Sequence, residues 1–273
     1  MPELPEVETV RTGLDAALKG SKIAGVTLRR ADLRIPFPEN MAARLAGKTI
    51  ESIRRRAKYL LFDLGGGDVL IAHLGMSGRF SVVPKFSKKL GTHDHVVITL
   101  TDGRALIYND PRRFGLMTIA QSSELTSHPL FAALGPEPLE KEFSTAYLKL
   151  ELTRRNTAVK VALMDQALVV GVGNIYASEA LFLAGIDPNI PAKTVADRAK
   201  PIIAVIRKVL TDAIESGGSS LRDFMHVSGE SGYFQHRFNV YGREGKPCFS
   251  CGEPVRSTRL SGRSTFFCPH CQK

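Results

Sequence analysis

The sequence contains no tryptophan, and its four cysteines are confined to one end of the chain, at or after position 248. A disulfide framework for the rest of the chain is therefore excluded. No apolar run reaches the ~20 residues that a membrane-spanning helix needs. The first residues, MPELPEVETV, are acidic where a secretory signal peptide is basic. These absences predict a cytosolic protein that does not span a membrane.

Acidic side chains are in the minority. Aspartate and glutamate number 27 against 37 lysines and arginines, which gives a formal net charge of +10. A surface of this kind attracts polyanions, of which nucleic acid is the most common. An anionic membrane or a requirement for solubility would also explain the charge, so the charge alone does not identify the partner. The apolar fraction of 43% is ordinary for a globular protein and argues against disorder.

The chain also lacks internal repeats and low-complexity tracts, which excludes solenoids and coiled coils. Apolar residues at helical spacing in 4–18 predict an amphipathic first helix. From 22 to 117 the chain consists of short β-rich runs separated by Gly, Pro and Asp, which predicts an antiparallel β-sandwich. Asp102 and Gly103 indicate one hairpin, between HVVITL and ALIYND.

Beyond the Pro- and Gly-rich stretch at 134–143 the pattern becomes helical. A polar stretch, SSLRDFMHVSGESGYF, begins after Gly217 and Gly218, and long loops of this kind often act as mobile lids. The GVG at 171–173 does not predict a dinucleotide-binding loop, because GxGxxG is absent and the preceding segment has a helical pattern. Apolar stripes of helical period occupy 144–155, 158–168, 174–184 and 194–216.

Two Cys-x2-Cys pairs stand near the end of the sequence: Cys248 with Cys251 and Cys268 with Cys271, separated by residues 252–267. This spacing matches tetrahedral zinc sites. Four thiolates leave no position for a water molecule, so the predicted ion is structural and catalysis belongs to other residues. Four reduced cysteines without a metal, or His270 in place of one ligand, are the alternatives.

Three arginines lie between the cysteine pairs, at positions 256, 259 and 263. A small hairpin stiffened by zinc would present a guanidinium group to a DNA phosphate. We take Arg263 as the candidate for that contact.

Several segments of the chain carry family-specific motifs: PELPEVETV, RRAKYLL (55–61), HLGMSG (73–78), NDPRRFG (109–115), VVGVGNIYASE (169–179) and the cysteine-rich tail. Together they resemble the bacterial formamidopyrimidine-DNA glycosylase family over essentially the whole chain. The resemblance implies an α+β fold with an N-terminal antiparallel β-sandwich and flanking helices in 1–134, then a linker in 135–150. A helix-two-turns-helix module with a lesion-recognition loop would follow in 151–232, and a zinc finger with four cysteine ligands in 238–273.

This resemblance implies a bifunctional DNA-repair enzyme. Such an enzyme excises oxidised purines, 8-oxoguanine and formamidopyrimidines, from duplex DNA through a Schiff base on an N-terminal proline. It then cuts the strand at the abasic site by β,δ-elimination. The implied partner is double-stranded DNA with oxidised bases or abasic sites, the implied cofactor is one structural Zn²⁺, and we expect a monomer. The choice of lesion and of opposite base stays open.

Pro2 is the candidate nucleophile. Removal of Met1 would make it a secondary amine, and an α-amino group titrates near ~8 against ~10.4 for lysine, so more of it is unprotonated at neutral pH. Glu3 beside it is the candidate proton donor to the opening sugar. Glu6 is a candidate supporting residue. Without the resemblance, Pro2 would simply start a helix, and the two glutamates would complement its dipole.

Lys58, in RRRAKYLLF, is the third catalytic candidate, with its ammonium group at the phosphate beside the lesion. His73 is a candidate DNA contact near it. Asn174 follows Gly173 at the start of a predicted helix, where its amide and the N–H groups of the turn would bind an anion. Glu179 is a candidate supporting residue, which would orient either Asn174 or the active-site helix. The alternatives are a solvated lysine, a structural histidine and a simple N-cap.

An enzyme that acts on a base within a duplex must evict that base and fill the hole. Met76, Arg112 and Phe114 are the candidates for this wedge, by resemblance to the family. Met and Phe are apolar enough to enter a base stack, and Arg112 offers only donors, which complement the acceptors of an orphaned cytosine. The alternative for Met76 and Phe114 is a place in the core, but neighbouring glycines indicate loop tips.

Two other functions compete with this hypothesis. An endonuclease VIII-like enzyme for oxidised pyrimidines would share the fold, the proline and the zinc, but PELPEVE and DPRRF favour the purine branch. A catalytically silent DNA-binding protein would use the same helical module and zinc finger. The presence of Pro2, Glu3 and Lys58 argues against that second alternative.

Overall fold

The computed structural model describes residues 2–86, 89–218 and 238–273. They divide into two compact units, one made of residues 2–132 with 217–218 and one made of 133–216 with 238–273. The predicted lid, at 219–233, lies outside the described residues. Across the described ranges, no helix has both the length and the apolar character that a membrane span requires.

The first unit begins with helix α1, Leu4–Leu18, which confirms the predicted amphipathic helix. Its apolar positions fall on one face and are almost completely buried, because they recur at the helical period. Glu3 is the N-cap residue, and Pro5 lies in the first turn, where its missing N–H costs no hydrogen bond. The buried apolar residues of this face are Leu4, Val7, Val10, Leu14 and Leu18.

Two four-stranded antiparallel sheets follow and enclose the core of this unit, which confirms the predicted sandwich. The strands are β1 (Ile23–Leu28), β2 (Ile50–Arg56), β3 (Tyr59–Leu64), β4 (Asp68–His73), β5 (Arg79–Val83), β6 (Asp94–Leu100), β7 (Ala105–Asn109) and β8 (Leu116–Gln121), with a short helix α2 (Met41–Leu45) after β1. One sheet has the order β1-β6-β7-β5 and the other β2-β3-β4-β8. The hairpin predicted at Asp102–Gly103 joins β6 to β7.

The chain passes from one sheet to the other three times, after β1, after β4 and after β7, and the last two passages, which we call the crossovers, are neighbours. Residues 74–78 lead from β4 to β5, and residues 110–115 lead from β7 back to β8. His73 pairs with Leu116 in one sheet, and Arg79 pairs with Asn109 in the other. At each end, the residue that flanks one crossover is paired with the residue that flanks the other. The two crossovers therefore lie side by side at one end of the sandwich.

The second unit is helical, with α3 (Thr145–Thr153), α4 (Val159–Leu163), α5 (Asn174–Leu183), a 3₁₀ helix (Ala192–Arg198) and α6 (Ala199–Glu215). Helix α3 begins inside the segment predicted as a linker. The stripe at 194–216 forms two elements, because Pro201 fits only the first turn of an α-helix. Helix α4 is shorter than the predicted 158–168, since the Asp165 carboxylate accepts a hydrogen bond from the Ala167 N–H and turns the chain.

The cysteine-rich tail packs within the second unit. Strands β9 (Arg256–Leu260) and β10 (Arg263–Phe267) pair antiparallel around a two-residue turn, Ser261–Gly262. Both turn residues have positive φ, 45° and 76°, which is the pattern of a type I′ hairpin. Phe182 of α5 packs against Cys248, Cys268 and apolar residues of the tail in one cluster. The tail thus shares a core with the helices.

Candidate active site and nucleic-acid interface

The N-terminus of α1 holds two buried carboxylates. Glu3 is 3% exposed and Glu6 is 2% exposed. The Glu3 backbone N–H donates a hydrogen bond to Glu6 Oε2 over 2.8 Å, and the Glu3 carbonyl accepts from the Val7 N–H. This arrangement fixes the backbone of Glu3, with half-buried Pro2 directly before it. Glu6 therefore orients Glu3 by capping the helix.

Lys58 lies in the two-residue turn that joins β2 to β3, and it is only 6% exposed, which does not fit a solvated surface lysine. The turn is strained, because Ala57 has a φ of 53°, a region that costs a residue with a side chain about 1 kcal/mol. The Arg55 guanidinium donates to the Ala57 carbonyl over 2.9 Å and to the Glu8 carboxylate over 2.8 Å. Since Glu8 belongs to α1, this ion pair ties the Lys58 turn to the helix that follows Pro2.

His73 ends β4 opposite Tyr59, the residue after Lys58, with the two rings 4.9 Å apart. Burial, together with the positive charges of Lys58 and Arg34, lowers the pKa of His73 to about 4. The ring is therefore neutral near pH 7. Nδ1 accepts a hydrogen bond from the Gly75 N–H over 2.9 Å, so the neutral ring carries its proton on Nε2. Toward a phosphate, His73 would act as a neutral donor.

The three predicted wedge residues stand on the two crossovers. Met76 is half-buried in 74–78, whereas Arg112 and Phe114 are exposed in 110–115. Phe114 is 47% exposed, which is unusual for so large an apolar side chain and does not fit a core residue. The Arg112 guanidinium carbon lies 5.0 Å from the centre of the Phe114 ring, within cation–π range. The structure thus presents an apolar ring and a cation on one short loop.

In the second unit, Asn174 is the first residue of α5, and Gly173 is the N-cap, so Asn174 is not the simple N-cap of the alternative. Its Oδ1 accepts a hydrogen bond from Lys160 Nζ over 2.7 Å, and its Nδ2 donates to the Ser264 carbonyl over 3.1 Å. Lys160 Nζ also donates to the Ser264 carbonyl and to Thr265 Oγ1. Asn174 and Lys160 therefore hold β10 directly after Arg263.

Lys160 is a residue that supports this group, and the sequence analysis missed it. Its side chain is 1% exposed, and buried lysines are rare unless their protons are all used. A signal was present, because a single lysine interrupts the apolar run AVKVAL at 158–163. Helical periodicity alone does not distinguish a fully buried lysine from one whose methylene groups are buried while its ammonium group reaches solvent.

Arg263 is exposed at the first position of β10, next to the type I′ turn. Arg256 and Arg259, the other two arginines of the hairpin, are exposed as well. Arg259 is engaged locally, since its Nε donates to the Gly262 carbonyl over 3.2 Å. The hairpin therefore carries three cations on a short two-stranded ribbon whose backbone is held by Asn174 and Lys160.

Glu179 lies one and a half turns after Asn174 and is 2% exposed. Its carboxylate accepts hydrogen bonds from three successive backbone N–H groups, those of Asn239, Val240 and Tyr241, over 2.8 to 3.0 Å. It therefore fixes the first residues of the zinc-finger segment, ahead of Cys248. Its link to Asn174 is indirect, because the Tyr241 hydroxyl lies 3.5 Å from Asn174 Nδ2.

The four cysteine sulfurs converge, with all Sγ atoms within 4.8 Å of one another and no disulfide between them. Two of the Sγ–Sγ distances are 3.5 and 3.9 Å. Four sulfurs placed ~2.3 Å from a tetrahedral zinc ion would stand ~3.8 Å apart, so the cluster has the size that zinc requires. The predicted closed site of four thiolates is confirmed. Two of its ligands, Cys248 and Cys268, are buried beneath the hairpin.

The candidate residues thus form two groups. The first unit brings together the N-terminus of α1, the Lys58 turn and His73, and it carries the crossovers with Met76, Arg112 and Phe114. The second unit brings together Asn174, Arg263 and the cysteine cluster, joined by Lys160.

Family models cover most of the chain in three segments. The formamidopyrimidine-DNA glycosylase N-terminal domain matches residues 1–117, and the formamidopyrimidine-DNA glycosylase H2TH domain matches residues 134–225. A zinc finger described as found in FPG and IleRS matches residues 245–273. H2TH denotes the helix-two-turns-helix module expected from the sequence.

Curated relatives and solved structures match over the full length. The formamidopyrimidine-DNA glycosylase of Ruegeria pomeroyi is 50% identical and that of Dinoroseobacter shibae 49% identical, each with 100% of both chains covered. The crystal structure of MutM (Fpg) from Thermus thermophilus has a TM-score of 0.89 at 40% identity, covering 99% of this chain and 98% of that one. Lactococcus lactis Fpg in complex with DNA containing an abasic site has a TM-score of 0.91 at 34% identity, covering 99% of both chains. The chain therefore belongs to the formamidopyrimidine-DNA glycosylase family.

Proposed function

We propose that this chain excises oxidised purines from duplex DNA with Pro2 as the nucleophile and then cleaves the strand at the abasic site. Family membership supplies the class of activity, a DNA glycosylase with lyase action. Related Lactococcus lactis structures at 34–35% identity hold DNA with an abasic site or with Fapy-dG. The observation that carries the residue assignment is the buried Glu3 directly after Pro2, whose carboxylate accepts from the Glu6 backbone N–H and whose own N–H donates to the Glu6 carboxylate. A cytosolic location, where bacterial DNA lies, is part of the proposal.

The chemistry begins at the Pro2 nitrogen once Met1 has been removed. Its lone pair forms a bond to C1′ of the damaged nucleotide, the bond from C1′ to the base breaks, and the base leaves with the proton that the Pro2 amine gives up. Glu3 donates a proton to the ring oxygen O4′ as the bond from C1′ to O4′ breaks, which leaves a positively charged iminium ion between Pro2 and C1′ with no proton on its nitrogen. One amine thus replaces the base and prepares the sugar for elimination.

Strand cleavage follows from the same imine. The positive imine nitrogen acidifies the C2′–H bond, and loss of that proton expels the 3′ phosphate from C3′. A second elimination expels the 5′ phosphate, and water then releases the sugar fragment from Pro2. Lys58, buried on a turn tied to α1, is suited to hold a phosphate next to the reacting sugar, with neutral His73 as a second donor.

DNA recognition is assigned to both units. Met76 and Phe114 fill the space of the evicted nucleotide, and Arg112 donates to the base left opposite. Asn174 and Arg263 contact phosphates, with Arg263 on the hairpin that Lys160 and Asn174 hold. Phosphate contacts position the duplex without reading its sequence, whereas the wedge acts on the damaged pair.

Borohydride trapping tests the nucleophile. Reduction of the imine during reaction with a duplex containing 8-oxoguanine should give a stable protein–DNA adduct, and peptide mapping should place it on Pro2. Pro2→Gly keeps a terminal amine but loses the ring, so we expect severe loss of base excision with near-normal binding to an abasic-site analogue. A protein that retains Met1 should not be trapped.

Other results would contradict parts of this proposal. An adduct that maps to Lys58 would overturn the proline mechanism while leaving the glycosylase function intact. Binding to damaged DNA without cleavage by the unaltered protein would support the silent DNA-binding alternative.

An oxidised pyrimidine is a second candidate substrate. A Lactococcus lactis Fpg structure at 35% identity contains DNA with an oxidised pyrimidine. Nicking assays on a panel of duplexes, each with one defined purine or pyrimidine lesion, would rank the substrates. Faster cleavage at the pyrimidine lesions would favour the endonuclease VIII-like alternative.

A further inference from the structure

A completely buried carboxylate lies between the two crossovers, and the proposed chemistry does not use it. Asp110 is 0% exposed. Its Oδ1 accepts a hydrogen bond from Ser77 Oγ over 2.6 Å, and its Oδ2 accepts one from the Gly115 N–H over 2.8 Å. The Tyr108 hydroxyl, whose pKa is raised by burial and by Asp110, is a third donor at 3.3 Å. Asp110 therefore binds both crossovers at once.

Ser77 extends the hydrogen bonds of Asp110 to Arg112, one of the proposed wedge residues. Its single hydroxyl proton is donated to Asp110, and its oxygen accepts a hydrogen bond from the Arg112 backbone N–H over 3.1 Å. Ser77 directly follows Met76, and Arg112 stands two residues before Phe114. One chain of hydrogen bonds thus connects the backbones that carry all three proposed wedge side chains.

Asp110 is itself fixed to the sandwich. Its backbone N–H donates to the His93 carbonyl over 3.0 Å, and its carbonyl oxygen lies 2.9 Å from His95 Nε2. Burial lowers the pKa of His95, so the ring is neutral, and Nε2 must carry the proton that the carbonyl accepts. The backbone of Asp110 is therefore tied to strand β6 and to the residue before it, and its carboxylate extends from this fixed point to the two crossovers.

The two crossovers are in close backbone contact at their glycines. Gly75 has a φ of +63°, and a Cβ on it would lie 2.3 Å from the Phe114 carbonyl carbon. A Cβ on Gly115 would lie 1.8 Å from the Tyr108 hydroxyl oxygen. At Gly75 the backbone of one crossover therefore packs against the backbone of the other. At Gly115 the backbone packs against the side chains of Tyr108 and Asp110. In contrast, residues 111–114 are exposed in succession.

We propose that Asp110 is a positioning residue that joins the two crossovers into one preformed wedge. A buried carboxylate is costly to desolvate, and hydrogen bonds from both crossovers offset that cost for Asp110, so we assign its role to the geometry that these bonds impose. Met76, Arg112 and Phe114 come from two loops, and a wedge that is rigid before binding loses less conformational freedom when it enters the duplex. This inference rests on the proposed function, since it assigns a role within base eviction.

The test compares two substrates in one DNA sequence, 8-oxoguanine paired with cytosine and a pre-formed abasic site opposite cytosine. Only the first has a base to evict. Under single-turnover conditions, Asp110→Asn should lower the rate on 8-oxoguanine at least tenfold more than the rate at the abasic site. Ser77→Ala, which keeps the carboxylate and removes the link between loops, should change the ratio of rates in the same direction. A ratio unchanged in both variants would overturn the inference.

Asp68→Asn is the matched control. Asp68 is also a buried carboxylate of the first unit, 6% exposed, but it stands at the far end of β4 and binds Arg44, Lys48 and Gln121. Its replacement should lower the thermal midpoint without changing the ratio of the two rates. If the Asp68 and Asp110 variants shift the ratio equally, general loss of stability is the cause and the positioning role is wrong.

Phe114→Ala separates this inference from the function on which it rests. If Phe114→Ala changes the ratio and the Asp110 and Ser77 variants do not, the wedge is real and its positioning by Asp110 is wrong. If Phe114→Ala also leaves the ratio unchanged, the wedge assignment itself fails. Absence of cleavage of both substrates by the unaltered protein would instead contradict the proposed function.

Discussion

At the scale of single residues, His73 belongs to the candidate active site and also affects the pH dependence of folding stability. Its pKa in the folded chain is about 4, against 6.5 for an ordinary histidine, because burial and nearby cations disfavour the charged ring. Between these two values the unfolded chain binds more protons than the folded one. The contribution of His73 to stability is therefore complete above pH 6.5 and is lost as the pH falls toward 4.

His73→Asn should remove this pH dependence. Asparagine keeps an acceptor for the Gly75 N–H but has no titrating ring. Denaturant unfolding at pH 7 and pH 4 should show a smaller loss of unfolding free energy in the variant, by at most about 3 kcal/mol. Burial acts to raise the pKa values of Asp63 and Asp68, but their arginine partners outweigh it and lower both, which adds a separate loss below about pH 4 in both proteins. Equal losses in both proteins would show that His73 is not the group that titrates.

At the scale of elements, the β9–β10 hairpin carries the proposed phosphate contact of Arg263. It is too short to be stable alone, and it is held by zinc ligands at its base and by Lys160 and Asn174 along β10. Arg263 lies at the turn end of this supported ribbon. A cation on such an element contacts a phosphate with little loss of side-chain and backbone freedom.

Arg263→Ala should weaken DNA binding and lower the slope of log affinity against log salt by roughly 0.9, the value for one phosphate contact. Lesion preference should change little, because phosphates carry no sequence information. Titrations of a lesion duplex at several salt concentrations would measure the slope. Lys208→Ala is the matched control, since it removes an exposed cation of α6 that pairs with Asp212. An identical slope change in the control would argue against a specific contact by Arg263.

At the scale of the whole molecule, the zinc site stabilises one unit and not the other. The cysteine cluster shares its core with Phe182 of α5, whereas the β-sandwich has a separate core between its sheets. Chelation of zinc should therefore unfold the finger and abolish DNA binding while the antiparallel sheets of the first unit persist. Circular dichroism and DNA titration before and after chelation would measure both effects.

The control for chelation is re-addition of metal. One equivalent of Zn²⁺ per chain should restore binding, and Mg²⁺ should not, because four thiolates prefer a soft ion. DNA binding that survives complete removal of zinc would contradict the role of the finger.

The sequence determined the fold class and the family by itself. The short β-rich runs in 22–117, the helical period afterwards and the paired Cys-x2-Cys motifs are local patterns, and local patterns are visible in a sequence. Strands β6 and β7 were predicted in this way, as the hairpin between HVVITL and ALIYND. Strands β5 and β8 were not singled out, because RFSVV and LMTIAQ follow directly on the loop motifs HLGMSG and NDPRRFG.

Only the tertiary structure decided how the candidate residues are held. Glu8 and Arg55 join α1 to the Lys58 turn from positions 47 residues apart, and Lys160 reaches Thr265 from 105 residues away. The role of Asp110 could not be predicted from NDPRRFG, since nothing in that motif shows that Ser77 donates a hydrogen bond to it. Such contacts depend on which strands pair and where the chain crosses between sheets. The sequence therefore determined which chemical groups this protein has, and the three-dimensional packing decided which of them act together.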